Sequence, residues 1–509
     1  PRTLEVDGAI LVFYQPQLYK WDSFLYLESY LAFEASLASM PEPVFGSARI
    51  RAETETDFET RSVLIYNKKV EEVFVHSPDL KETGQVEEII RSIQTSPEAI
   101  SLDRLIAMVD SSDVPQVAPP FSNDPPTIYY SENPAILLIF DGDPLFAPIA
   151  NTELEFTVNT NWDIFFDKTD SSFYLLAGDV WLASPDIFSG WQMAEELPQN
   201  IYSLPKEKNW ERVLEHLPPR MENPPETPEV FASIAPAELV LTDGPPQFAP
   251  LPGADLLLVS NTDSDLFYSI VDGFFYYLVS GRWFSARSLA GPWRFATDNL
   301  PEGFANIPED HKNAAVLFSV PDTPQASEAY IESQIPQIAN VRRDVQMPEE
   351  VIYDGDPQFE PIEETDLEYA ANTPYDVIKV DNLYYLCFSG IWFYSRSPYR
   401  GWIVCTAVPL SIYRIPPACP VYHVTHVRIY GYSETYVRFG YSAGYMGVYA
   451  YRGAAVYGTG FYYRPYYYLP PGGNPVYYPH HYSYGFSGRY HPYTGRYIRS
   501  ARVYGPYGG

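Results

Sequence analysis

Residues 139–160 read IFDGDPLFAPIANTELEFTVNT, and residues 173–191 read FYLLAGDVWLASPDIFSGW. Both phrases return, as LTDGPPQFAPLPGADLLLVSNT (241–262) with YYLVSGRWFSARSLAGPW (276–293), and as IYDGDPQFEPIEETDLEYAANT (352–373) with YYLCFSGIWFYSRSPYRGW (384–402). In each copy an Asn-Thr pair (Asn159, Asn261, Asn372) follows the first aspartate (Asp141, Asp243, Asp354) by 18 residues. The inner tryptophans Trp181, Trp283 and Trp392 precede the closing Trp191, Trp293 and Trp402 by 10. Spacing this regular marks three copies of one structural unit.

Within copy two, DLFYSI, FFYYLV, RWFSA and PWRFAT are separated by VDG, SG and a Pro-containing turn, which predicts a four-stranded antiparallel meander. The Asp-Gly-x-Pro at the front supplies a further turn. Between the copies, NWERVLEHL and TPQASEAYIESQIPQIA have helical spacing, and SLDRLIAMVD begins with Ser101 as an N-cap. Alternating segments such as AILVFYQP and RSVLIYNKKVEEVFV predict an N-terminal β domain. The expected class is therefore mainly β (α+β), three antiparallel β-meander modules joined by short helices. The parts are an N-terminal β-rich domain with helices (1–113), a proline-rich linker (114–126), module one (127–205), a helical connector (206–236), module two (237–308), a second connector (309–348), module three (349–420) and a Tyr/Gly/Arg-rich arm (421–509).

Charge divides the chain. The whole carries 65 acidic against 33 basic residues, yet from residue 421 onward there are one glutamate, eight arginines and 23 of the 44 tyrosines. A basic aromatic arm is thus joined to an acidic body. Such a body repels nucleic-acid phosphates, so no nucleic-acid partner is expected. The longest apolar runs, such as AILLIF at 135–140, are too short to span a bilayer. The chain opens on Pro1 without a leader, which reads as a processed product whose signal peptide is removed, placed outside the cell or on its surface, or in a periplasm. Its three cysteines cluster between Cys387 and Cys419. On a meander Cys387 and Cys405 fall two strands apart, roughly 9–10 Å and beyond disulfide reach, so a bridge is expected from Cys419 to Cys387 or to Cys405.

Candidate chemistry is sparse. There is no G-x-S-x-G, P-loop or dinucleotide fingerprint, and paired carboxylates are too common to nominate a glycosidase site. No catalytic residue, metal site or cofactor is expected. Asp141 with Asp143, Asp263 with Asp265, and Asp354 with Asp356 read as turn residues, since no copy has EF-hand spacing. His423 with His426, and His480 and His481 with His491, lack companion ligands. The six module tryptophans are candidates for stacking on sugar rings, against their use as module cores. For self-assembly the candidates are Arg438, Arg452, Arg464, Tyr466, Tyr467, Tyr468, Arg489 and Arg496, which would meet the acidic body of a neighbour.

The order YQPQ (from Tyr14), EPVFG (from Glu42), ISLDRL (from Ile100), three copies of DGxPxFxP…NT…GxWF…GW, then PVYHVTHVRIYGY, GYMGVYAYRGAAVYGTGFYYRP and GFSGRYHPYTG resembles uncharacterised secreted bacterial proteins of a carbohydrate-binding family V/XII type, over nearly the whole chain. That resemblance implies binding to chitin-like or cellulose-like polysaccharide and brings no catalytic residue with it. The chain departs from the paired tryptophans expected of a chitin-binding module: Trp283-Phe284, Trp392-Phe393 and Trp181-Leu182 stand there. Charge division favours an extracellular or cell-surface structural protein that assembles with itself through the arm and N-terminal strand. The alternative is a secreted, non-catalytic polysaccharide-binding protein.

Overall fold

The computed structural model describes residues 2–6, 8–37, 43–76, 80–93, 95–109, 119–206, 208–219, 226–347, 350–468, 475–478, 480, 486–491 and 496–501. It is mainly β, with 43% strand and 15% helix. Among the described residues no helix is long and apolar enough to cross a membrane.

The N-terminal domain is one antiparallel sheet of β1 (Arg2–Val6), β2 (Ala9–Phe13), β3 (Gln17–Asp22), β4 (Tyr26–Leu37), β5 (Val44–Asp57), β6 (Ser62–His76) and β7 (Glu98–Ser101), in the order β1-β2-β4-β5-β6-β7 with β3 beside β4. Helix α1 (Leu80–Ser92) covers one face, setting Val86 and Ile90 on Leu11, Phe33, Ala35 and Val44. Helix α2 (Leu102–Ile106) is capped as expected, the Ser101 hydroxyl accepting from the Arg104 N–H.

Copy one is preceded by β8 (Thr127–Ser131) and β9 (Ala135–Ile139) and consists of β10 (Phe146–Pro148), β11 (Leu154–Thr157), β12 (Asp163–Asp167), β13 (Ser172–Ala177), β14 (Val180–Ser184) and β15 (Gln192–Met193), with the short helices α3 (Gln199–Tyr202) and α4 (Glu211–Glu215) behind it. Copy two repeats this with β16 (Glu229–Ser233), β17 (Ala237–Leu241), β18 (Phe248–Pro250), β19 (Leu256–Val259), β20 (Leu266–Ser269), β21 (Phe275–Val279), β22 (Arg282–Ala286) and β23 (Arg294–Phe295), then α5 (Pro324–Gln334) and β24 (Gln337–Arg342). Copy three is β25 (Phe359–Pro361), β26 (Glu368–Ala370), β27 (Asp376–Val380), β28 (Leu383–Phe388), β29 (Ile391–Ser395) and β30 (Ile403–Val404). Each copy is a six-stranded antiparallel meander in sequence order, so the expected four strands gain two at the front. The missed pair follows the Asp-Gly turn and is only three or four residues long per strand, too short for alternation to register. Copies one and two are further tied by parallel pairing of β8 with β17 and of β9 with β16.

The 18-residue spacing has a mechanical cause. The side-chain amide of Asn159 accepts from Leu145 N–H at 2.8 Å and donates to the carbonyls of Asp141 and Asp143 at 2.9 and 2.8 Å. Asn261 makes the same three bonds to Gln247, Asp243 and Pro245, and Asn372 to Gln358, Asp354 and Asp356. Only an amide combines one acceptor and two donors in this geometry. The aspartates contribute backbone carbonyls to it, which is why proline can replace the second one in copy two.

The N-terminal domain shares its packing with the helix that follows copy two. Trp21, Val63, Leu102, Leu105 and Ile106 share a buried cluster with Tyr330, Ile331 and Ile335 of α5 and the residue ending it. Beside that cluster Arg61 pairs with Asp103 and with Glu332, 3.1 Å away, and Glu328 stands at 3.9 Å. Residues 114–118 of the expected linker, with 110–113 before them, lie outside the described residues, and Phe121 is buried against Tyr422, Tyr449 and Tyr451.

Two tests follow from this architecture. Asn261→Ala should lower stability by about 1–2 kcal/mol while Asp243→Asn leaves it unchanged, read from urea midpoints. Three carboxylates share the Arg61 guanidinium, and burial pushes Glu332 from 4.5 up to about 7. A raised carboxyl pKa favours the folded state while protonated, so that contribution is complete below pH 4.5 and lost as pH rises through 7. Urea midpoints should therefore fall from pH 5 to pH 8, and Glu332→Gln should flatten the dependence.

Candidate functional site

Trp181, Trp283 and Trp392 occupy one position, second in the fifth strand of their meanders, and are 2%, 0% and 0% exposed. Their indole N–H groups donate to the carbonyls of His216, Ser319 and Val427, at 2.9, 2.8 and 2.9 Å. Trp293 and Trp402 are buried and Trp191 is half-buried, donating to the carbonyls of Leu289, Tyr399 and Ile187. The expectation of sugar-stacking platforms is thereby corrected for the five buried rings: an enclosed face cannot meet a pyranose. The Asp-Gly turns hold no metal cluster either, and among the described residues no three His, Cys, Asp or Glu side chains gather to form one.

The arm adds β31 (Val427–Tyr432), β32 (Tyr436–Tyr441), β33 (Val448–Tyr451), β34 (Ala454–Tyr457), β35 (Tyr466–Tyr468) and β36 (Val476–Tyr478). The sequence leaves open whether the arm docks on its own body or on a neighbour's, with the neighbour preferred; these elements lie against the chain's own body. Strands two and four of a meander run the same way, so the Asn after strand two and the Gly turn after strand four share one end of each sheet. The arm passes those ends. At copy three Gly390 donates its N–H to the Tyr445 hydroxyl at 3.1 Å. At copy two Tyr457 N–H donates to Ser280 carbonyl at 3.0 Å, and a Cβ on Gly281 would stand 2.5 Å from the Ala455 oxygen. Arg282, fully buried, donates to the carbonyls of Tyr457 and Gly458 at 2.9 and 2.8 Å and to the Asn123 side chain at 3.2 Å. The Asp354 carboxylate accepts from Tyr466 at 3.1 Å, and that of Asp141 from Tyr477.

The self-assembly candidates divide accordingly. Arg438 pairs with Glu53 at 3.3 Å, Arg452 with Asp298, and Arg464 with Asp143 at 3.8 Å. Tyr467 and Tyr468 are exposed. Arg489 and Arg496 lie on two further paired strands, β37 (Phe486–His491) and β38 (Arg496–Ala501), and their side chains are outside the described residues.

A cleft of about 440 Å³ opens where the arm meets copy three, lined by Tyr375, Asp376, Cys387, Phe388, Ser389 and Tyr445. His423 backs it, its Nε2 3.0 Å from an Asp376 carboxylate oxygen. Cysteine, histidine and aspartate are thus neighbours, yet the thiol is not an activated nucleophile: burial and the Asp376 charge push the pKa of Cys387 well above its ordinary value. His426 is half-buried against Gly444, bonded through Nδ1 to the Ser442 hydroxyl at 3.1 Å, and desolvation drives its pKa down to about 3. Sequence reading missed this cleft; its signal was Asp163, Asp265 and Asp376 recurring at one position, with Phe388 where copies one and two carry Ala177 and Val279.

A second surface is the sheet face opposite α1. Gly46 lies under the Phe33 ring on the covered face, so its neighbour Phe45 points the other way. With Phe45 on that open face stand Ile10, Tyr30 and Phe74, by register with Ser36, Arg49 and Ser47. Phe45 and Phe74 are each 57% exposed and Ile10 49%. Alongside runs a charge ladder of Arg49 with Glu28, Glu71 and Glu72, and of Arg51 with Glu28.

Cys387, Cys405 and Cys419 are free, buried thiols, which corrects the expected bridge from Cys419. Cys405 takes a core position that copies one and two fill with Ala194 and Ala296, each amide donating to the carbonyl of its module tryptophan at 2.8 Å. Burial pushes Cys405 and Cys419 up to about 12. The native protein should therefore resist iodoacetamide at pH 8, and three thiols should react once it is unfolded, without reductant. Comparison with known protein families, with curated proteins and with solved structures finds no match to the chain.

Proposed function

We propose that this is an extracellular or cell-surface structural protein that assembles with copies of itself, and that the open face of its N-terminal sheet is the contact. The observation that carries this reading is Ile10, Tyr30, Phe45 and Phe74 standing uncovered on a sheet whose other face packs against α1. Apolar surface of this kind on a rigid sheet is characteristic of interaction sites. The Arg49 and Arg51 ladder beside it forms a polar margin, as at the rim of a protein–protein contact. Strand β1, almost wholly exposed and paired only with β2 among the described residues, offers a free edge for strand addition. With so much of the arm engaged within its own chain, the N-terminal sheet rather than the arm is the natural contact.

A second reading, non-catalytic polysaccharide binding, is what the sequence resemblance implies. Tyr14, Tyr19 and Tyr30 favour it, being exposed, with the Tyr19 and Tyr30 rings 5.5 Å apart near the same face. Flat rings at a surface can stack on pyranose faces where the buried module tryptophans cannot.

One double variant separates the readings. Phe45→Glu with Phe74→Glu should convert an oligomer to a monomer in sedimentation velocity, with near-ultraviolet circular dichroism unchanged. A wild-type protein that sediments as a monomer at high concentration defeats the assembly reading. Retention on insoluble chitin or cellulose, lost in Tyr19→Ala with Tyr30→Ala, would then establish the second.

A further inference from the structure

Asp163, Asp265 and Asp376 hold one position in the three copies, and each is met by the segment behind its own module. Asp163 has Arg212 at 3.9 Å, Asp265 the side-chain amide of Asn313 at 3.2 Å, and Asp376 the His423 imidazole at 3.0 Å. Among the described residues no lysine or arginine pairs with Asp376. Copy three also differs in its surroundings. Phe388 replaces the small or aliphatic residue of the other copies, Tyr375 packs against it with ring centroids 6.0 Å apart, and the arm brings Tyr445. The Tyr445 hydroxyl is engaged by the Gly390 N–H and the Cys387 thiol, so the ring is what this residue offers to the cleft.

We propose that this cleft binds an organic ammonium group, held between the Asp376 carboxylate and the rings of Tyr375, Phe388 and Tyr445. Aromatic faces attract a cation through their quadrupole, and a carboxylate beside them adds charge without demanding a fixed hydrogen-bond direction. An anionic ligand would enter against the field of a chain with net charge −32. A neutral ligand would desolvate Asp376 without compensating its charge. The ligand class is therefore cationic, with alkyl substituents that fill the space between rings. This site stands apart from the N-terminal sheet face and requires the arm to be docked, because Tyr445 comes from it.

Calorimetry on the full chain with choline, against its neutral isostere 3,3-dimethylbutan-1-ol, tests the proposal. Choline should bind about 10-fold tighter than the alcohol or better, Asp376→Asn should remove that preference, and Phe388→Leu should weaken choline about 5-fold with its urea midpoint unchanged. Equal affinities for the two probes, or no saturation by choline at tens of millimolar, would overturn it. Should Asp376→Asn fail to fold, Phe388→Leu decides: undiminished choline affinity in that folded variant refutes the site.

Discussion

Each module is closed by one bond that reaches outside it. The indole N–H of Trp181, Trp283 or Trp392 meets a carbonyl 35 or 36 residues further on, in the segment that follows the meander. A buried indole must find an acceptor, since leaving its N–H unpaired costs about 1–3 kcal/mol. In all three copies that acceptor is supplied from beyond the meander, by His216, Ser319 and Val427. The trailing segment is thus obligatory, and the true repeating unit is sheet plus cap. Around that bond each core gathers: Phe165 and Trp210 in copy one, Phe267 and Phe304 in copy two, Phe393 and Val427 in copy three.

Copy three takes its cap from the start of the basic, tyrosine-rich arm, and this explains why that arm can be ordered without a core of its own. Val427, Val437 and Phe439 belong to the core of copy three, and Tyr449, Tyr451 and Val456 to a cluster with Phe121. Opposite charge assists at the periphery through Arg438 with Glu53 and Arg464 with Asp143. The exposed Arg464–Asp143 pair adds little. The buried Arg282, bonded to arm carbonyls, is the polar contact with the larger consequence for attachment.

The regular spacing of Asp, Asn and Trp made the three modules legible in the sequence, because fixed intervals reflect fixed hydrogen bonds. Helix α5 and the Ser101 cap were equally readable, from Pro336 and from the hydroxyl placed before an apolar run. What stayed hidden was long-range. Nothing near Phe121 announces Tyr449, and a proline-rich stretch around it resembles a free linker. Tryptophans were ambiguous because a repeated aromatic serves a core or a platform equally well; only burial decides. The cleft at Asp376 was invisible for a related reason: Tyr445 lies 69 positions after Asp376 and joins it solely through the docking of the arm.

The arm's partners are remote along the chain. Arg282 meets Tyr457 across 175 positions, Asp141 meets Tyr477 across 336, and Tyr66 meets Arg438 across 372. Contacts this distant raise the contact order and delay consolidation. While a chain emerges from its N-terminal end, copies one and two can each form their own meanders. The turn at Ser280-Gly281 and the part of the copy-three cap that holds Val424, Val427, Val437 and Phe439 nevertheless wait for residues beyond 420. Until the arm has been made, the Trp392 indole and the Arg282 guanidinium have none of the acceptors they meet at Val427, Tyr457 and Gly458, so the end of the chain completes polar contacts that everything before it leaves open.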